Sequence, residues 1–200
     1  GFEVVKQEER SCLVKDLSKP SFEEFDNAVQ RCWFLLLDIA KDTVDGIKRK
    51  DFELLKTMHA KDRAVNKFTN YAMRLLIMGS NYSYLKTISY YHFLHSFEEL
   101  ADEYQDMATH VSEQKQLLVK EHILALEELN AILRSFFNVF GKFDDAEAEK
   151  ALNAVVAIQN KLHKETLHSK GSSVIAYYIL SICRRIRNLM IAIVELKTCE

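Results

Sequence analysis

The chain has 200 residues, with five glycines and a single proline, Pro20, which leaves little room for the turns an all-β fold needs. Its 27 basic and 29 acidic residues give a net charge of −2, without the basic footprint of a dedicated nucleic-acid binder. No apolar run approaches the roughly 20 residues that span a bilayer, and the opening residues do not read as a signal peptide.

Taken in order, residues 2–6 (FEVVK) and 11–16 (SCLVKD) are β-prone runs around the polar turn Gln7-Glu8-Glu9-Arg10, and they predict a small hairpin. A lone hairpin is marginally stable, so it must lean on something else. Lys19-Pro20-Ser21 breaks the chain, and Ser21 with Glu24 three residues on predicts a capping box. Six helical segments follow. The first runs from about Phe22 to Lys48 with an apolar stripe of Phe25, Val29, Trp33, Leu36, Leu37, Ala40 and Val44. The second runs from about Asp51 to Met78, ending at Gly79-Ser80-Asn81. The third covers about Tyr82 to Val111. The fourth runs from about Gln116 to Phe140 and stops at Gly141. The fifth opens near Asp144-Asp145, acids suited to a helix N-terminus, and ends near His168. After Lys170-Gly171-Ser172 the sixth runs from about Ser173 to Lys197. Long amphipathic helices on short linkers pack as antiparallel neighbours, hence as bundles.

The third segment is the most informative. Phe93, Leu94, Phe97, Leu100, Tyr104, Met107 and Val111 recur at three- and four-residue steps, the period of a buried stripe. His95, Glu98, Glu99, Asp102 and Asp106 recur at the same steps on a second face. Glu98 and Asp102 are i and i+4, so their carboxylates stack and repel. Solvent, a lysine or a cation must offset that. The order of three long helices appears twice, and Tyr90-Tyr91 in the first half answers Tyr177-Tyr178 in the second. The pattern is that of a duplicated three-helix unit.

These residues resemble the PhoU family, whose two three-helix repeats each carry an acidic E/DxxxD pattern. Glu98-Glu99-Leu100-Ala101-Asp102 matches the acidic run, and Ala108 the small residue that follows. Asp62-Arg63-Ala64-Val65-Asn66, before Arg74-Leu75-Leu76, matches the DxxxD pattern of the preceding helix, with Asn66 in place of an acid. The opening GFEVV run resembles the linker of archaeal PhoU-like proteins that carry an AbrB-like DNA-binding domain upstream, so the resemblance implies a domain before Gly1. The fold class expected is all-α: two tandem three-helix bundles after a short β-hairpin. Residues 1–20 would be hairpin and linker, 21–112 the first repeat, and 113–200 a second, degenerate repeat. That second repeat departs from the family, because Arg184 and Asn188 stand where Glu98 and Asp102 stand in the first. The face carrying Arg184, Arg185 and Arg187 should repel cations, and could take an anion or an acidic partner helix.

Carboxylates from facing helices are how bundles build hard-metal sites. Asp62, Asn66, Glu98 and Asp102 are therefore the candidate metal ligands, with His59 and His95 nearby, and the resemblance implies iron, zinc or a similar metal at such motifs in some members. The competing reading is a solvated face whose acids pair with Lys61 or Lys67. Cys12, Cys32, Cys183 and Cys199 form no CxxC pair and read as reduced thiols. No phosphate loop, nucleophile elbow or HExxH motif is present, so catalysis is not expected. The resemblance implies a cytoplasmic regulator of phosphate homeostasis, restraining uptake through contacts with components of a phosphate transporter or associated regulators. A homodimer is expected, since Trp33 and Phe34 are adjacent and one must face outward. DNA would be reached only through the absent upstream domain. The rival readings are a dimerising effector module of a transcriptional regulator and a metal-carboxylate bundle enzyme.

Overall fold

The structure is a computed structural model and describes residues 2–7, 11–16, 24–79, 82–168 and 174–198. Strands β1 (Phe2–Gln7) and β2 (Cys12–Asp16) pair antiparallel with Val4 opposite Val14, and the register slips between Val4 and Lys6. Every other described element is helical: α1 (Phe25–Arg49), α2 (Phe52–Lys56), α3 (Met58–Gly79), α4 (Tyr84–Gln114), α5 (Lys120–Gly141), α6 (Asp145–His168) and α7 (Val174–Thr198).

The segment expected as one helix from Asp51 to Met78 is divided. Asp51 caps α2 by accepting from the Leu54 amide at 2.9 Å. One turn later the Thr57 hydroxyl donates to the Leu54 carbonyl at 2.7 Å, and α3 starts afresh at Met58. A threonine back-bonded in this way competes with the helical ladder and bends it. The capping box expected at the start of α1 rests on Ser21. Ser21 lies outside the described residues, and Glu24 is the N-cap residue without a side-chain cap bond. Its carboxylate instead accepts from the Tyr71 hydroxyl on α3. Ser83 caps α4, accepting from the Lys86 amide at 3.2 Å, and Asp144 caps α6, accepting from the Glu147 amide at 3.0 Å. α4 runs three residues beyond Val111 and ends on Lys115 in the left-handed conformation at φ 47°.

Helices α1, α3 and α4 pack on one another, and so do α5, α6 and α7. The two sets are joined by α4 against α7 and by α1 against α5, and one continuous apolar core passes through both. Pairs running from His92 with Glu195 to His110 with Tyr178 make α4 and α7 antiparallel. At the α1–α4–α5 junction the fully buried Trp33 is ringed by Phe93, Phe97, Phe137 and Phe140 at centroid distances of 4.8–6.1 Å. Edge-to-face pairs of this kind favour the aromatic quadrupole arrangement. Its neighbour Phe34 is 52% exposed, as their adjacency on a helix requires. Across the same junction the Tyr104 hydroxyl donates to Asn130 Oδ1 at 2.7 Å, and Asn130 Nδ2 donates to the Ala40 carbonyl at 2.8 Å. This short relay ties three helices through polar atoms inside the core. Gly46 is needed where α1 turns into α2, because a Cβ there would come within 2.7 Å of Leu55 Cδ2, and Leu55 is itself buried.

Candidate functional site

α3 and α4 bring the acidic motif together as their helical periods direct. Asp62 is buried at 6% exposure on the α3 face that packs on α4. Burial first, then the neighbouring carboxylates of Asp102, Glu98 and Asp106, push its pKa up from 3.8 to about 7. A hydrogen bond between Asp62 and Asp102 contributes to the same shift. Carboxylates this close disfavour a further negative charge, so Asp62, the buried member, is held toward its neutral form, while Asp102 stands exposed beside it. Asp106, further along α4, is also raised, by burial and then by Asp102 and Glu103. Asn66, one turn on from Asp62, reaches its Oδ2 through Nδ2 at 3.4 Å. Asp62 Oδ1 and Asn66 Oδ1 are both buried without a hydrogen-bond partner.

The four candidate ligands therefore lie on adjoining helices, but the oxygens are not gathered on one point. Among the described residues no three His, Cys, Asp or Glu side chains are grouped so as to hold a metal ion. Glu98 leans on His95 instead, at 3.6 Å from Nδ1. His59 is exposed at the start of α3.

Lys61 does not serve this face as the competing reading required. Lys61 turns to α1, where it bonds Asp38 and Asp42 at 2.5 Å each. The counter-charge comes from a residue that was expected to stand apart. Arg185 on α7 donates to Glu99 at 2.6 Å and to Glu103 at 3.4 Å, and the Ser181 hydroxyl donates to Glu103 at 2.5 Å. The acidic partner helix for this arginine is thus the chain's own α4. Arg184 is exposed and Arg187 half-buried on the same helix. Sequence periodicity placed Glu99 and Glu103 on α4, yet only the docking of α7 could reveal their partner. The acidic face of α4 is in effect shared: Glu98 faces histidine, Glu99 and Glu103 face arginine, and Asp102 faces the buried Asp62.

Of the cysteines, Cys32 and Cys183 are buried free thiols whose pKa burial pushes up to about 12, and Cys12 is an exposed free thiol. Cys199 lies outside the described residues. Thiols held so far from their thiolate form have no nucleophilic role at neutral pH. Among the described residues no helix is long and apolar enough to cross a membrane.

No family model matches the sequence, and no curated protein matches it. Among solved structures the chain is similar to the phosphate transport system regulatory protein PhoU from Streptococcus pneumoniae, at 18% identity and a TM-score of 0.68 over 90% of this chain and 96% of that one. It also aligns with a putative PhoU-like phosphate regulatory protein from Shewanella oneidensis MR-1 (12% identity, TM-score 0.44, 92% of this chain and 96% of that one). A PhoU-like protein from the same organism gives 13% identity and a TM-score of 0.43 over 89% and 94%. Only the first is close enough in backbone geometry to fix the fold, which is the PhoU helical fold along nearly the whole chain.

Proposed function

We propose that this chain is a PhoU-like regulator of phosphate uptake that acts by helix-surface contacts with components of a phosphate transporter or its associated regulators, and not by catalysis. The observation that carries the reading is the match of backbone to the Streptococcus pneumoniae regulator over 90% of this chain. The acidic E/DxxxD run, which falls on the α3-facing and α7-facing sides of α4, supports it. Deleting the gene in its own host tests the reading. Phosphate uptake should then no longer be restrained when external phosphate is plentiful, and an unaltered uptake rate would count against it.

The same reading carries a cation in the first repeat. Asp62, Asn66, Glu98 and Asp102 would hold a divalent or iron-type ion through oxygen alone, a donor set suited to hard or borderline metals. The two partnerless oxygens of Asp62 and Asn66 favour this, whereas the separation of Glu98 toward His95 means the ligands must close up. When bound, the ion would supply positive charge among these carboxylates and displace the proton that burial favours on Asp62. Metal titration near pH 6 in buffers of different ionisation enthalpy should therefore show proton release, and the Glu98→Ala/Asp102→Ala double variant should lose the stoichiometry. The regulator is also taken to be a homodimer, with exposed Phe34 beside Phe137 as apolar surface available for pairing.

A further inference from the structure

Among the described residues the largest gathering of exposed apolar side chains lies on the last turn of α3 and the first two turns of α4. Ile77 and Met78 are each 69% exposed, Tyr84 is 80%, Leu85 65%, Ile88 48% and Tyr91 50%. On α4, Tyr84, Ile88 and Tyr91 fall at i, i+4 and i+7, one outward stripe, while Phe93, Leu94 and Phe97 supply the buried one. The helix is therefore apolar on two faces over its first turns, which core packing does not require. Soluble surfaces rarely keep so many large apolar groups together without a use for them.

Within the α3–α4 segment that carries them the charge has one sign. Residues 63–97 contain no aspartate or glutamate, but they do contain Arg63, Lys67, Arg74 and Lys86. Arg74 is exposed on α3 near Ile77 and Met78 in sequence, and Lys86 lies over the Tyr82 ring at 5.4 Å. Acids border the tip from other elements: on α1 Glu24 accepts from the Tyr71 hydroxyl and Asp26 is exposed, and on α7 Glu195 pairs with His92 at 3.0 Å. An outward stripe of tyrosine and aliphatic residues with basic side chains beside it is the composition that settles in the headgroup region of a membrane. No described helix can cross a bilayer, so any such contact lies on its surface.

We propose that the α3–α4 tip docks on the surface of an anionic lipid bilayer, with Tyr84, Leu85, Ile88 and Tyr91 entering the interface and Arg74 and Lys86 meeting lipid phosphates. This stands on the exposed tip alone and does not depend on the phosphate-regulator reading. Co-sedimentation of the whole chain with sucrose-loaded vesicles tests it, comparing phosphatidylcholine alone with phosphatidylcholine containing about one quarter phosphatidylglycerol. The wild type should pellet with the anionic vesicles. Leu85→Gln/Ile88→Gln and Arg74→Glu/Lys86→Glu should each weaken that binding about tenfold or more, with melting temperatures close to wild type. Only the electrostatic part should fade with added salt. A wild type that stays in the supernatant, or either variant binding as the wild type does, overturns the proposal. So does a wild-type dimer that Leu85→Gln/Ile88→Gln converts to monomer without any vesicle binding, because a second copy would then be the occupant.

Discussion

Asp62 is the residue at which the chemistry of the chain is most concentrated. Its folded pKa of about 7 stands above the unfolded value of 3.8, so between these limits the folded state binds more protons than the unfolded one. Stability from this group is therefore undiminished below about pH 4 and is lost as pH rises through 7. Asp62→Asn removes the linkage. It should stabilise the protein by about 1–2 kcal/mol at pH 8 and change little at pH 4, as read from urea unfolding across the range. A variant less stable than wild type at pH 8 would mean that Asp62 is ionised and held there by a cation. Asn130 makes the opposite case. Its amide is the shared partner of the Tyr104 hydroxyl and the Ala40 carbonyl, and Tyr104 is fully buried with its pKa raised by burial. Asn130→Ala strands a buried hydroxyl and should cost about 2–3 kcal/mol, while Tyr104→Phe, which leaves the amide bonded to Ala40, should cost about 1 kcal/mol. Equal losses in the two variants would show that packing, not the hydrogen bond, sets the cost.

Between elements, the contact that most distinguishes this chain is Arg185 of α7 on Glu99 and Glu103 of α4. The three side chains are only partly exposed, and the arginine makes hydrogen bonds to both acids. Such a geometry escapes most of the screening that reduces surface pairs to near zero. A double-mutant cycle of Arg185→Met with Glu99→Gln should give a coupling of about 1 kcal/mol, weakening at high salt. A coupling of zero would reduce the contact to a surface pair without effect. The same contact changes how the basic face of the second repeat is read. Of its arginines, Arg185 is engaged within the chain, which leaves Arg184 and Arg187 as candidates for any outside anion. α1 and α2 meet more tightly still. Gly46→Ala pushes a methyl toward Leu55 and should lower stability by about 1–3 kcal/mol; in a Leu55→Ala background, where the clashing atoms are gone, the same change should cost little, and an unchanged melting temperature for Gly46→Ala alone would show that Leu55 swings to another rotamer.

For the whole molecule, the decisive feature is that two three-helix sets share a core, with Trp33 and its phenylalanines at the seam. A chain built this way has no half that closes its core alone. Trp33→Ala should cost about 3–5 kcal/mol and loosen both sets in one transition, whereas two separate calorimetric transitions would show that the sets fold independently.

The sequence by itself determined the helical class, five of the six long segments to within a few residues, and the placing of Asp62, Asn66, Glu98 and Asp102 on facing helices. Period and sparse turn residues are local properties, and a helix obeys them wherever it is packed. Tertiary structure alone decided three other matters. The break at Thr57 depends on a side chain choosing the Leu54 carbonyl, a choice that leaves no trace in hydrophobic period. The turning of Lys61 to α1, and the pairing of Arg185 with Glu99 and Glu103, depend on which helix lies opposite, and charge partners from distant parts of the chain carry no spacing signal. The raised pKa of Asp62 depends on burial. A carboxyl pair reads the same in sequence whether it faces water or core, and only the depth at which α3 meets α4 raises one of them toward neutrality.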